Sequence, residues 1–271
     1  MIKIIFTDLD GTLLDSYGKI SDDNFNACIK VQQQGIPVVV NTGRYGENAL
    51  KIAKRIKVDQ YLGYVIGNDG SEIWSFKDKK WIYLSQIDAK MTNKLAQWLL
   101  KFDDKILLNF SCLNRFYVNR LYDRWQHWLA QLEVEMSEVE DFNNFAQTIS
   151  RIMVILEKPW DQEKTKRFIN QFNQEFPNLT ITQYHAKSFS IAQENTNKGT
   201  AIIWLCHHLG LDIKQAMAIG DNANDLSMLK VVGFPIVMDN SADNVKKYAK
   251  WVAPNNDNHG VASAIEHYIT K

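Results

Sequence analysis

Asp8 and Asp10 are two carboxylates one residue apart at the end of a short apolar run, Ile4-Ile5-Phe6, and Gly11 follows them at once. The run reads as a buried parallel strand, and the glycine marks a change of backbone direction. Alternate side chains of an extended chain point the same way, so the two acids lie about 7 Å apart in Cα and can share one site. Carboxylates that close do not both ionise cheaply without a counter-charge. The pattern therefore asks for a cation, and magnesium is the natural candidate. Two plainer readings compete. Asp-x-Asp-Gly opens calcium loops, but those need glycine at the sixth position and glutamate at the twelfth, where this chain has Leu13 and Lys19. Asp and Gly are also ordinary residues of a solvated turn, so the pair needs support from the rest of the chain.

That support comes from the elements placed around it. A polar link runs from Asp15 to Ser21, and a helix is expected over Asp22 to Gln34, with Ser21 as N-cap and Gly35 as stop. The strand Ile36 to Val40 ends in Asn41-Thr42-Gly43-Arg44, and a helix with Ala49, Leu50, Ala53 and Ile56 at helical spacing leads to a third strand, Tyr64 to Ile66. That strand ends in Gly67-Asn68-Asp69-Gly70, after which Ser71 to Phe76 and Lys80 to Leu84 form a hairpin. Strands alternating with helices are the signature of parallel βαβ winding with right-handed crossovers.

From about Gln86 to Tyr184 the character changes. Helical stripes (Leu95, Trp98, Leu99, Phe102; Leu121, Trp125, Trp128, Leu129, Leu132; Phe168, Ile169, Phe172) alternate with amphipathic strands at Ile106 to Phe110, Phe116 to Asn119, Ile149 to Leu156, Leu179 to Gln183 and Phe189 to Ala192. Helices over one face of a mostly antiparallel sheet are expected, with the tryptophans in the core. His185, Lys187 and Ser188 mark the return and read as a hinge or as pocket lining. The α/β pattern then resumes. Lys198 opens a helix with the stripe Ala201, Ile202, Leu205 and Leu209 and Gly210 as stop, and the strand Ala216 to Ile219 ends in Gly220-Asp221-Asn222-Ala223-Asn224-Asp225. A helix through Leu226, Leu229 and Val232, a strand at Pro235 to Met238, a helix near Val245, a strand at Trp251 to Ala253 and a closing helix complete the chain.

The expected fold is thus α/β, a Rossmann-like doubly wound parallel sheet with an inserted α+β module. The core domain is assigned to residues 1–85 plus 186–271 and the insert to 86–185. In an open sheet of this kind ligands bind outside the carboxyl ends of the strands, at the switch in strand order. Asp8, Asp10, Thr42, Gly43, Asp221, Asn224 and Asp225 all fall at such ends, and Lys198 starts a helix. The acids suit a divalent cation. A lysine, a hydroxyl, an amide and glycine-flanked backbone donors suit a tetrahedral dianion.

Composition narrows the partners. The 271 residues carry 31 Lys and Arg against 31 Asp and Glu, a neutral balance without the basic footprint of nucleic-acid or anionic-membrane binding. No run of 18 apolar residues occurs and the amino terminus enters a strand at once, so a cytoplasmic protein is expected. Cys28, Cys112 and Cys206 lack Cys-x-x-Cys spacing and read as buried thiols rather than as a disulfide or zinc framework.

Asp8-Leu9-Asp10-Gly11-Thr12-Leu13, Asn41-Thr42-Gly43-Arg44, Asn197-Lys198-Gly199 and Gly220 through Leu229 resemble, in order and spacing, the four motifs of the haloacid dehalogenase superfamily. More narrowly the chain is similar to the Cof-type hydrolases, whose large class IIB cap is inserted between the second and third motifs. The likeness continues through Gly233 to Met238, Asn240, Val245-Lys246 and His259-Gly260-Val261-Ala262. The resemblance implies a phosphatase working through an aspartyl-phosphate on small phosphorylated metabolites such as sugar phosphates; the sequence leaves monomer and homodimer equally open. Asp8 would be the nucleophile and Asp10 the general acid and base, with Mg²⁺ held by Asp8, the Asp10 backbone carbonyl and Asp221. Thr42, Lys198, Asn224 and backbone donors near Leu9 and Gly43 would hold phosphate, while Asp225 would orient Lys198 or a metal-bound water beside Asn222. Arg44 would contact substrate or pair with an acid, and Asn109, Ser111 and Arg115 of the insert would choose the leaving group. A phosphomutase using the same intermediate and a non-catalytic phospholigand-binding protein are the alternatives on this fold. Asn41, Asp69 and Asp239 depart from the usual residues at their positions.

Overall fold

The structure is a computed structural model and describes residues 1–113, 115–121, 135–139, 141–142 and 144–270. The chain forms two compact units, Met1–Tyr83 with Asn197–Lys271, and Leu84–Thr196.

The first unit is built on an eight-stranded sheet. Its strands are β1 (Ile4–Thr7), β2 (Val38–Asn41), β3 (Tyr64–Gly67), β4 (Glu72–Ser75), β5 (Lys80–Leu84), β12 (Ala216–Gly220), β13 (Phe234–Met238) and β14 (Trp251–Ala253), in the order β14-β13-β12-β1-β2-β3-β4-β5. β14 through β3 run parallel, and β4 turns back antiparallel to β3. β1 is the switch point, because the chain winds from it to β2 and β3 on one side and reaches β12, β13 and β14 on the other.

Every residue of β1 is buried because both sheet faces are covered. Ile5 and Leu9 pack with residues of α1 (Asp22–Gln33), α2 (Gly46–Arg55) and the late helix Gly260–Ile265. Ile4 and Phe6 face the opposite way, into a core with Ala201, Ile202 and Leu205 of the helix Lys198–His208 and with Met228 and Leu229. The local signals hold at the helix ends. Ser21 caps α1 by accepting from Asn24 N, and Gly35 beyond it takes a left-handed φ of +80°. The helix expected through Val232 is shorter, spanning Leu226–Leu229, since a turn leads directly into β13.

The second unit carries α3 (Ala89–Phe102), β6 (Leu107–Ser111), β7 (Arg115–Val118), β8 (Glu135–Glu138), β9 (Arg151–Ile155), α4 (Gln162–Glu175), β10 (Leu179–His185) and β11 (Ser188–Gln193). These strands make a six-stranded sheet in the order β10-β11-β9-β6-β7-β8, antiparallel except at β7 and β8. β8, of sequence Glu-Met-Ser-Glu, lacks the apolar alternation that announces a strand and was not expected. The stripe Trp125, Trp128, Leu129 and Leu132 lies outside the described residues. Residues 185 and 188 pair across the turn of the β10–β11 hairpin, so the position read as a hinge or return is the turn of a hairpin inside this sheet. The sequence-based division at 185/186 cuts that hairpin, whereas the compact units change at 196/197. The two ends of the unit lie together: the Ser85 and Thr196 hydroxyls are 2.6 Å apart, and Gln193 Nε2 donates to Gln86 O at 2.9 Å.

The core of this unit is aromatic. Phe168 on α4 is fully buried, and its ring meets those of Trp98, Phe102, Trp160, Phe172 and Phe189 at centroid distances of 5.0 to 6.5 Å. Among the described residues no helix is long and apolar enough to cross a membrane. Phe168→Ala removes the ring that joins α3, α4 and β11. It is expected to destabilise the second unit by about 3–5 kcal/mol, read as an earlier tryptophan-fluorescence transition in urea.

Candidate active site

The ends of β1, β2, β3 and β12 and one helix start supply the polar side chains gathered beyond β1. Lys198 is the first residue of α5 (Lys198–His208) and is fully buried. Its helix begins there because Asn197 caps it, with Oδ1 accepting from the Gly199 and Thr200 backbone while the Thr200 hydroxyl accepts from Asn197 N. A Cβ on Gly199 would stand 2.2 Å from the Ser227 carbonyl oxygen, so glycine is required for the first turn of α5 to approach α6 (Leu226–Leu229).

Lys198 Nζ donates to Asp8 Oδ1 and to Asp225 Oδ1, each at 2.6 Å. Burial by itself would lower the Lys198 ammonium, but the charges of Asp225, Asp8 and Asp69 outweigh it and raise it, so the group stays protonated. Asp225 is also fully buried, and its Oδ2 accepts from Asp221 N at 2.9 Å and Asn222 N at 3.0 Å. The Asp225 side chain therefore fixes both Lys198 and the turn that presents Asp221. Asn222 Oδ1 is used locally, on Ala223 N.

Asp221 Oδ1 accepts from the Thr12 hydroxyl at 2.9 Å. Burial pushes the Asp221 carboxyl up to about 6, with the Asp225 charge adding to the effect and the Thr12 hydrogen bond opposing it. Burial also raises Asp8 well above the usual carboxylate range, against the pull of Lys198 and with the repulsion of Asp225 and Asp221 behind it. One carboxylate oxygen from each of Asp8, Asp221 and Asp225 lies within 4.8 Å of the others. Hard oxygen donors crowded together, two of them on the carboxyls of Asp8 and Asp221 that burial makes hard to ionise, fit a divalent cation. Both oxygens of Asp225 are engaged, which leaves Asp8 and Asp221 as the better donors.

Arg44 grips Asp10 with a two-pronged contact, Nε to Oδ2 at 2.8 Å and Nη2 to Oδ1 at 2.6 Å, and its Nη1 donates to Asn48 Oδ1 at 3.1 Å. Burial would lower Arg44, but the hydrogen bond and charge of Asp10 raise it. Thr42 is buried at the end of β2, where its hydroxyl accepts from Arg44 N at 3.1 Å and its carbonyl from Asp69 N at 3.0 Å. Leu9 is buried, and its carbonyl accepts from Thr12 N and Leu14 N.

The residues that depart from the usual motif are also placed. Asp69 follows Asn68, both with left-handed φ values (53° and 47°) that Asp and Asn tolerate better than other side chains. Asp69 Oδ1 accepts from Asn224 Nδ2 at 3.0 Å and would stand 3.1 Å from a Cβ on Gly43. The Asn224 amide nitrogen, expected on phosphate, is thus turned to Asp69 here. Asn41 is buried beneath α5, with Nδ2 on the Lys198 carbonyl at 3.3 Å, and Asp239 pairs with Lys246 at 2.8 Å. Asn109, Ser111 and Arg115 belong to β6 and β7 of the second unit.

Sequence reasoning missed Thr12 as the partner of Asp221 and Asn48 as the partner of Arg44. Asn48 carried a signal, since it lies in the first turn of α2, just after the loop that holds Arg44. Thr12 sits inside the first motif but gives no hint of which acid it meets.

A profile of haloacid dehalogenase-like hydrolases matches residues 5–265. A putative phosphatase of Streptococcus pyogenes is 28% identical over 283 residues, covering 99% of this chain and 98% of the relative. The 5-amino-6-(5-phospho-D-ribitylamino)uracil phosphatase of Bacillus subtilis is 28% identical over 272 residues, covering 99% and 96%. Among solved structures, a haloacid dehalogenase-like hydrolase from Bacteroides thetaiotaomicron has the same fold, with a TM-score of 0.85 at 23% identity over 98% of this chain and 99% of that one.

The Asp221 carboxyl gives the site a pH signature. With a folded value of about 6 and an unfolded value near 3.9, the folded protein holds the extra proton between those pH values, so stability falls as pH rises through that window. In chelator, Asp221→Asn is expected to gain on the wild type by up to about 3 kcal/mol as pH goes from 4 to 7, and added divalent cation to close the gap at pH 7. Thermal melts across that range with and without the metal check both.

Proposed function

The chain belongs to the haloacid dehalogenase-like hydrolase family, and from that premise we propose that it is a Mg²⁺-dependent phosphatase that hydrolyses small phosphomonoesters through an aspartyl-phosphate on Asp8. The observation that carries this reading is the placement of Asp8: its Oδ1 is fixed by the buried Lys198 ammonium, with Asp221 and Asp225 close by. Lys198 orients the carboxylate and leaves Oδ2 to attack phosphorus.

In the first step Asp8 Oδ2 bonds to phosphorus and the bond from phosphorus to the ester oxygen breaks, the departing alkoxide taking a proton from Asp10. In the second a water attacks the phosphoryl group, gives its proton to Asp10, and the bond between phosphorus and Asp8 breaks to release inorganic phosphate. Mg²⁺, held by Asp8, the Asp10 carbonyl and Asp221, would neutralise the charge that gathers when an anionic nucleophile meets an anionic ester. Lys198 and Thr42 are assigned to the phosphoryl oxygens, with backbone donors near Leu9 and Gly43, and each such contact is worth roughly 3–4 kcal/mol of barrier. Asn224 joins them once its amide leaves Asp69. Arg44 grips both carboxylate oxygens of Asp10, so that grip has to loosen for Asp10 to reach the leaving-group oxygen.

The relative named as a phosphatase of a phosphoribitylamino uracil supports a phosphate on a sugar-like or polyol carbon as the substrate class. On the same reading the second unit chooses the leaving group, and the enzyme works in the cytoplasm.

Phosphate release from a panel of sugar, polyol and nucleoside phosphates, with Mg²⁺ and with chelator, tests the proposal. Release is expected only with the metal, and Asp8→Asn is expected to abolish it while staying folded, with an unchanged far-ultraviolet circular dichroism spectrum and an earlier melt where Lys198 has lost a charged partner. Release that persists in chelator removes the metal assignment, and an Asp8→Asn enzyme near wild-type rate removes the nucleophile.

A further inference from the structure

The loop after β1 bears Asp8 and Asp10 and then turns through Gly11 to Leu14. Three of its carbonyls are bound by asparagine side chains from distant parts of the first unit. Asn240 Nδ2 donates to Gly11 O at 2.9 Å, Asn24 Nδ2 to Leu13 O at 3.3 Å, and Asn256 Nδ2 to Leu14 O at 3.0 Å. Two of the amides are in turn fixed through their oxygens, Asn24 Oδ1 by Ala262 N at 2.9 Å and Asn240 Oδ1 by Asn256 N at 3.3 Å. The stretch from Gly11 to Leu14 is thereby laced to the last strand connections of the sheet.

Asn24 and Asn256 are buried and bind the distal part of the loop. Asn240 is different on both counts: it is exposed, and it binds the carbonyl of Gly11, the residue after Asp10. Gly11 has φ +79°, and a Cβ there would stand 2.5 Å from Asp221 Oδ2. The following residue, Thr12, donates its hydroxyl to Asp221 Oδ1. The Gly11–Thr12 peptide is therefore held by Asn240 at its carbonyl and meets the Asp221 carboxylate through its two flanking residues.

We propose that Asn240 is a positioning residue for the divalent-cation site. By holding the Gly11 carbonyl it sets the plane of the Gly11–Thr12 peptide, and so places the Thr12 hydroxyl on Asp221 and, one peptide back, the Asp10 carbonyl. The inference rests on the reading of Asp8, Asp10 and Asp221 as that site. The side chain must donate to Gly11 O and accept from Asn256 N at once, which an amide does and a carboxylate or an alkyl group does not. Groups that orient metal ligands without touching the metal commonly carry about 10- to 100-fold of its affinity.

The test uses Mn²⁺ binding to the full chain without substrate, followed by electron paramagnetic resonance, for wild type, Asn240→Ala and Asn240→Asp. Both variants are expected to bind Mn²⁺ about tenfold more weakly, and the Mg²⁺ concentration for half-maximal phosphate release to rise while the substrate KM at saturating Mg²⁺ stays put. Asn240→Asp is the sharper variant, because its added negative charge alone would tighten cation binding. Wild-type-like or tighter Mn²⁺ binding in Asn240→Asp overturns the inference, as does an Asn240→Ala protein that binds within twofold of wild type. A wild type that binds no Mn²⁺ overturns the cation-site reading itself, and this inference falls with it.

Discussion

One ammonium group without access to water sets the geometry of the whole site. Lys198 is enclosed between Asp8 and Asp225, at 2.6 Å from each. A buried charge is tolerable only where its partners are in place, and removing one partner of such a set typically costs about 3–5 kcal/mol. The arrangement therefore fixes three pieces of chain against one another: the end of β1, the start of α5 and the turn after β12. Asp225 passes the constraint on, because its second oxygen binds the backbone of the turn that presents Asp221. The close approach at Gly199 belongs to the same device, since a side chain there would push α5, and Lys198 with it, away from the acids.

The site has an excess of negative charge. Asp8, Asp10, Asp69, Asp221 and Asp225 converge on a region where Lys198 and Arg44 are the described cations. A phosphate ester would be repelled from such a place. A divalent cation would both relieve the crowded carboxyls and turn the region into one that an anion can enter. Asp69 makes this sharper, because it brings a carboxylate next to Gly43 and Asn224, on the side where anion donors are expected.

Much of the fold was legible because it follows local rules. Buried strands ended by small polar loops announced the parallel winding, and Ser21, Gly35 and Gly210 announced helix ends. Asp8, Thr42 and Asp221 fall at carboxyl ends of parallel strands, which deliver them to one edge, whereas Lys198 opens a helix and was nominated by the motif it resembles. Illegible parts have physical causes. β8 is a polar edge strand defined by its neighbour rather than by its own pattern. The β10–β11 hairpin turns on Ala186 and Lys187 without glycine, so a turn inside a sheet looked like a return between modules. Asn24, Asn240 and Asn256 are polar residues whose contacts span more than ten residues and in two cases more than two hundred, and nothing local distinguishes them from solvated asparagines.

The joined ends of the second unit bear on how such a protein changes over generations. With Ser85 and Thr196 within hydrogen-bonding reach of each other, the inserted segment leaves and re-enters at one spot, so its length and its internal architecture place no demand on the distance that the first unit must bridge. A lineage can therefore lengthen, trade or remodel this segment as a cassette while the chain on either side keeps its registration.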